Sequence, residues 1–591
     1  MTKEGEATGL PRQAMRLTRS LPGRVLGYGL IAAGLLVTLR VNLFTLAQIA
    51  RARTSVPWWD QWEVVEELAR RARGEPLWPI LWSSYWGHRM VIPRLLFLAD
   101  ARWFWLASLT WLTLFLQFLH VALLIALAWL LLKRGPPAVF MIATAVILNL
   151  MLSPFQMQDF VWSMQTMFAL VFVAAMGSFL CLSLAGDKRR RLWVALAIAL
   201  AAIGSLTMPN GLLEWPVLVL EALYLKLGRR VILALALAGI VAAGSYLWNF
   251  TSPVMGMGVG GMLRHLVQAI LLTGLVVAGP VAFISNAAAA VCGVLTLAVT
   301  AYVSARALRL NVPERRWLSA LAAAILFLVL SSASVVAGRL DPRYLGRDPL
   351  YSVPVRYPTM ISALWTCIAL LVLYTCWRRQ VRPVLLGFYA IPLFYFMFAT
   401  VPLQFIMAED WADFFRGADA LGSAFLLEAP DEQMLSRLWP NRAEREERAA
   451  FLRQRGLAMF HEPRATWMGK NVAELFAPAE SGRCIGAIEK TTGLDGFARV
   501  QGWAWDLRSG ASPDDILLTD ATGRIIGLAR GGLRHGYIPG LLSEPGPVPL
   551  SHARFRHSEW LGYLRRDGGR SPEPLGLYGV LRGQRKVCAI R

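Results

Sequence analysis

Charge is scarce in this chain. Only 17% of its 591 residues are charged while 56% are hydrophobic, and the mean hydropathy is +0.47, which excludes a soluble globule of this size. Cysteine is also scarce. Of the six, Cys181, Cys292, Cys367 and Cys376 fall inside apolar runs without metal-ligand spacing and read as small core residues. Acidic residues number 38 against 60 Lys and Arg, a net charge of +22. Most of the clustered basic residues lie between apolar runs of roughly 20 residues, where the positive-inside rule puts them, so they read as topology and no nucleic-acid partner is expected. Internal repeats and low-complexity tracts are absent.

What is abundant is membrane-length apolar sequence. Spans are predicted near 25–48, 104–132, 136–152, 166–186, 192–208, 212–226, 231–250, 285–305, 317–336, 358–377 and 383–402. The first is too long for a signal-peptide core and reads as a retained span. Basic clusters at Lys133 and Arg134, Lys188 to Arg191, Lys226 to Arg230, Arg306 to Arg316 and Arg378 to Arg382 each follow a span ending in the cytoplasm. Residues 264–283 are long enough to cross, but counting them would put Arg306 to Arg316 outside, so they read as re-entrant or interfacial. The predicted fold class is a polytopic all-α membrane protein of about 11 transmembrane helices plus that one, followed by a soluble β-rich domain. Its parts are a cytoplasmic tail (1–24), a membrane domain (25–405), a helical linker (406–479) and a β-rich domain (480–591), both of the last two exported. Within the β-rich domain ARVQGWAW, DILLTD and RIIGLA read as strands, and Cys484 and Cys588 bracket it as a candidate disulfide. Trp503, Trp505 and Tyr578 read either as core or as a sugar platform.

Chemistry-bearing residues concentrate in the exported loops. After the first span, PWWDQW sets Asp60 among indoles, which favour the headgroup level, and residues 62–73 suit an amphipathic helix on the bilayer. Asp60 reads either as that helix's N-cap or as a general base meeting a donor held at the membrane surface. His88, Arg89 and Arg94 follow; they read as phosphate ligands or as snorkelling side chains. SPFQMQDFVWSMQ supplies Asp159 and Gln165, suited to a sugar hydroxyl or a divalent cation, with a cap on the helix entering the fourth span as the plainer reading for Asp159. MPNGLLEWP supplies Asn210 in a turn and Glu214, costly in an apolar helix unless it meets a cavity or partner. Arg339, Arg343, Arg347 and Arg356, with Tyr357, crowd a loop where positive charge runs against the orientation rule, which a lipid phosphate would explain.

The DQW, HR and PR pairs of the first loop, SPFQMQDFVWSMQ, MPNGLLEWP and SVPVRY together resemble bacterial membrane glycosyltransferases of the GT-C superfamily, over roughly residues 25–405. The resemblance implies an inner-membrane enzyme that takes sugar from a polyprenyl-phosphate or -pyrophosphate donor on the outer side. It places the catalytic acid on Asp60 and a second-loop acid on Asp159. Some branches carry paired acids where this chain has Asp60 followed by Gln61, which puts a divalent cation (Mg or Mn) in doubt. GWAWD and DATGRIIG resemble appended carbohydrate-binding-like modules. The expected reaction is inverting transfer to a glycan, glycolipid or protein acceptor, with Asp60 as base and Arg89, Arg339 or Arg356 on the departing phosphate. The alternatives are a transporter or flippase for lipid-linked sugars, and a non-catalytic scaffold.

Overall fold

The computed structural model describes residues 21–186, 189–250, 257–279, 285–340, 357–378, 389, 391–534, 555–566, 576–581 and 583–590. Eight helices are long and apolar enough to cross a membrane, and up to ten if each of two bent pairs is one span. Leu109–Leu132, for instance, has 24 residues without a formal charge and rises about 36 Å, enough for a hydrocarbon core of about 30 Å. The eight coincide with eight of the predicted spans. Arg190–Ser205 and Glu214–Tyr224 have 16 and 11 residues, shorter than that criterion, and fold as a hairpin around the 3₁₀ turn Pro209–Leu213.

The two ends of the bundle differ in chemistry. At one, the basic end, Glu314 accepts from Arg378 at 2.6 Å and Arg134 at 3.4 Å, fastening three interhelical connections through one carboxylate. Tyr224 donates to the Leu308 carbonyl there. At the other, the loop end, described polar loops meet: Ile92 N–H donates to Leu206 O at 3.1 Å, Gln61 to Ser163, and Ser153 to Gln404 at 2.5 Å. The residues predicted to be re-entrant form Gly258–Arg264 and Leu266–Ala278, bent by 112°. The pair starts where Met257 N–H meets Leu340 O and ends where Trp365 donates to Val277 O, close to the loop end in both cases.

Helix Val401–Leu427 follows Ile391–Ala399 at a bend of 49° and runs unbroken through residues 405 and 406, where the sequence divides membrane domain from linker. Its middle carries Glu409, Asp413, Arg416 and Asp419, and it packs on the C-terminal sheet. That sheet contains β1 (Ala477–Pro478), β2 (Cys484–Leu494), β3 (Phe497–Asp506), β4 (Asp515–Thr519), β5 (Ile525–Leu533), β6 (Glu559–Arg565), β7 (Gly576–Val580) and β8 (Lys586–Ala589), in the order β1-β8-β7-β4-β5-β6-β3-β2. A bridge between Cys484 and Ile590 brings β2 back against the chain beyond β8, so the sheet rolls into a barrel.

Strand alternation sorts the side chains. Ile516, Leu518, Val500 and Trp560 form one cluster inside, while Leu517, Leu528, Leu561 and Tyr563 point out and pack with Ala412 and Phe415 of Val401–Leu427. Gly502 is required here: a Cβ would lie 2.7 Å from the buried Trp560 ring and 2.0 Å from the Ala487 carbonyl. Cys484 and Cys588, 104 positions apart in sequence, form a disulfide across the barrel seam with Cα atoms 5.7 Å apart. Closing such a loop stabilises a fold by about 2–4 kcal/mol.

Candidate functional site

Asp60 opens the helix Gln61–Ala72 but does not cap it. Its backbone is already helical and Gln61 does the work instead, its Oε1 accepting from Trp58 N–H at 2.8 Å while its amide donates to Ser163 in the second loop. The half-buried Asp60 carboxylate therefore serves another purpose. It accepts a hydrogen bond from Tyr85 Oη at 2.8 Å. Tyr85 belongs to a tight turn, exchanging backbone hydrogen bonds of 2.9 and 2.8 Å with His88. Arg339, at the end of helix Arg315–Arg339, donates to His88 Nε2 at 3.1 Å and to Trp86 O at 3.2 Å. The fold thus gathers a carboxylate, a phenol, an imidazole and a guanidinium from positions 60, 85, 88 and 339.

Electrostatics assigns their protonation. Burial, reinforced by the charge of Arg339, holds the His88 imidazole down at about 4, so it is neutral at physiological pH and presents Nε2 as acceptor. As the ordinary histidine value is about 6.5, the unfolded chain binds a proton there between about 6.5 and 4 that the folded chain does not, and stability falls as pH drops through that window. Burial first, and then the Asp60 charge, push Tyr85 far above the usual phenol range. Tyr85 therefore remains a hydrogen-bond donor to Asp60.

Other predicted site residues lie elsewhere or are spent on structure. Arg89 is buried and directs its guanidinium to the carbonyls of Tyr246, Trp82 and Trp248. Arg94 is equally buried, with Glu67 at 2.7 Å and the carbonyls of Leu81 and Ser83 at 3.0 and 2.5 Å. Neither has its donors aimed at a phosphate, a correction to the expectation for both. Asp159 caps a helix, though a different one from that expected: its Oδ2 accepts from Thr359 N–H at 3.1 Å and Oγ1 at 2.7 Å, at the start of Pro358–Trp377. Tyr357 packs edge-on against Phe168 beside it. Asn210 donates to Ser331, and Glu214 is fully buried in the bundle, remote from Asp60 in its contacts. Arg343, Arg347 and Arg356 lie outside the described residues.

Unmet polar atoms mark the loop end. Asp159 Oδ1, Gln165 Oε1, His88 Nδ1, Trp162 Nε1 and Asn210 Oδ1 are all buried with no hydrogen-bond partner. Buried groups left in this state are rare in proteins and usually indicate a water or ligand. A cavity of about 30 Å³, room for a water, lies behind Gln61 and Ser163, and Asp60 is not among its lining residues. Among the described residues no group of three or more His, Cys, Asp or Glu gathers to hold a metal ion.

In the barrel, Trp503 and Trp505 share a face and both contact Phe555, at 6.0 and 5.0 Å between ring centroids. Tyr578 is on β7, separated from β3 by β4, β5 and β6, so the three do not make one platform.

Sequence reasoning missed Tyr85, whose signal was its place three residues before His88 in a Gly-containing turn, and the Gln61–Ser163 tie, which has no local signal. No family model matches the chain, and neither does any curated protein or solved structure.

Proposed function

We propose that this chain is a membrane glycosyltransferase that moves a sugar from a polyprenyl-phosphate donor to an exported acceptor, with inversion. Asp60 accepts the proton of the acceptor hydroxyl as the oxygen attacks the anomeric carbon. The bond from that carbon to the phosphate oxygen breaks, and the lipid phosphate leaves with the electron pair, its charge met by Arg339. Tyr85 positions Asp60. The observation that carries this reading is the Asp60–Tyr85 pair standing beside neutral His88 and Arg339, at the loop end of the bundle.

Export of that end is supported by its attachment to the barrel. Ser55 of the first loop donates to Glu462, Thr54 to Asp419 at 3.3 Å, and Arg448 of the linker to Glu63 at 3.0 Å, so loop and barrel share one side of the membrane. The disulfide belongs in an oxidising compartment, and the basic end belongs in the cytoplasm.

A second reading, transport of a lipid-linked sugar, is favoured by one observation, the buried carboxylates of Glu214 and Glu221 in the bundle. Comparing the surface glycans of cells with and without the protein separates the two. The enzyme reading expects loss of one linkage while the rest of the glycan is made and displayed. Loss of the whole glycan, with its lipid-linked precursor retained inside, would favour transport.

A further inference from the structure

Helix Glu214–Tyr224 turns two carboxylates into the interior. Glu214 is 0% and Glu221 4% exposed, they lie seven residues apart on one face, and about 10.5 Å of helical rise separates them. Around them are helices Thr166–Leu184, Arg190–Ser205, Arg229–Leu247 and Arg315–Arg339. The charged side chains of these neighbours are Arg190, Arg191, Arg229, Arg230, Arg315, Arg316 and Arg339, all at helix ends, and among the described residues none forms an ion pair with either glutamate. An unpaired carboxylate in such a place costs far more than a neutral acid.

The hydrogen bonds show how few donors reach these oxygens. Ser183 Oγ stands 2.8 Å from Glu221 Oε1 and 2.7 Å from the Arg316 carbonyl, and Ser319 Oγ lies 3.4 Å from the same Oε1. A hydroxyl has one proton and a carbonyl oxygen supplies none. When Ser183 donates to Arg316 O, its short contact with Glu221 is a hydrogen bond only if the carboxyl group carries a proton. The same count applies two turns up: Ser178 Oγ donates to Ala175 O at 2.8 Å and has Glu214 Oε2 at 3.5 Å. Glu214 Oε1 occupies the place a Cβ would take on residue 204, 1.9 Å from it, so Gly204 makes room for the acid. Glu214 Oε1 and Glu221 Oε2 are buried with no partner at all.

We infer that Glu221 and Glu214 form a proton-binding pair inside the membrane bundle, each holding its proton at neutral pH, with Ser183 linking Glu221 to the basic end. The ligand of this site is a proton, and the inference does not depend on sugar transfer.

Infrared difference spectroscopy on the full-length protein in lipid tests it. Subtracting the spectrum of Glu221→Gln from that of the native protein at neutral pH leaves a protonated-acid carbonyl band, which shifts in heavy water, and Glu214→Gln does likewise. The glutamine amide keeps a donor for Ser183 or Ser178, so both variants retain the native melting temperature. An ionised-carboxylate band in place of the acid carbonyl band in the Glu221 difference spectrum would overturn the inference.

Discussion

Replacing Asp60 with Asn lowers the rate of sugar transfer about a thousandfold while the protein still inserts and folds, because a positioned general base contributes roughly 10²–10⁴. Asn has the same shape, and its carbonyl still accepts from Tyr85 Oη, now 2.8 Å from the carboxylate. Only the capacity to take a proton is lost. Cap loss cannot imitate the result, since the Asp60 side chain makes no cap bond and Gln61 satisfies Trp58 N–H. Tyr85→Phe is expected to have a smaller effect, since Tyr85 acts through Asp60. Transfer by purified protein, measured beside a melting curve for each variant, checks both. A scaffold or a transporter would tolerate Asp60→Asn.

Replacing Asp419 with Ala is expected to loosen the barrel's attachment to the membrane domain, at a cost of up to about 3–5 kcal/mol. Asp419 is fully buried in helix Val401–Leu427 and accepts from Arg530 at 2.6 Å and Arg464 at 3.0 Å, with Arg416 at 3.7 Å. Each arginine has a second carboxylate, Asp515, Glu462 and Asp514 respectively, all at 2.6 Å, so the loss is partial. The junction continues as ion pairs toward the start of the helix: Asp413 takes Arg51 and Arg534, and Glu409 takes Arg556. A lowered melting temperature and new proteolytic cleavage between linker and barrel are the expected readings. A module hanging on a flexible tether would show neither.

The spans were legible because a run of about 20 apolar residues has few alternatives, and the basic connections sorted the two ends. The 264–283 region was read as re-entrant or interfacial from charge alone, and the 112° bend fits a re-entrant segment and a broken span alike. The turn between Arg190–Ser205 and Glu214–Tyr224 was legible in MPNGLLEWP and falls at Pro209–Leu213, but the shortness of the two helices, read as spans 192–208 and 212–226, was not. Within the site, Asp60 and Arg339 could be named from sequence, yet nothing local shows that Arg89 spends its guanidinium on three carbonyls, since those carbonyls come from residues 82, 246 and 248. Glu221, seven residues beyond Glu214 on the same helical face, was not singled out in the sequence. Its partners, Ser183 and the carbonyl of residue 316, have no local signal, because they come from other helices.

The central claim is chemical and can be measured on purified protein in vesicles whose outer leaflet carries a polyprenyl-phosphate sugar. The account predicts free polyprenyl phosphate released one for one with a product of inverted anomeric configuration, and no release from the Asp60→Asn variant. An intact donor recovered in the opposite leaflet, or release that is unchanged in that variant, would contradict it.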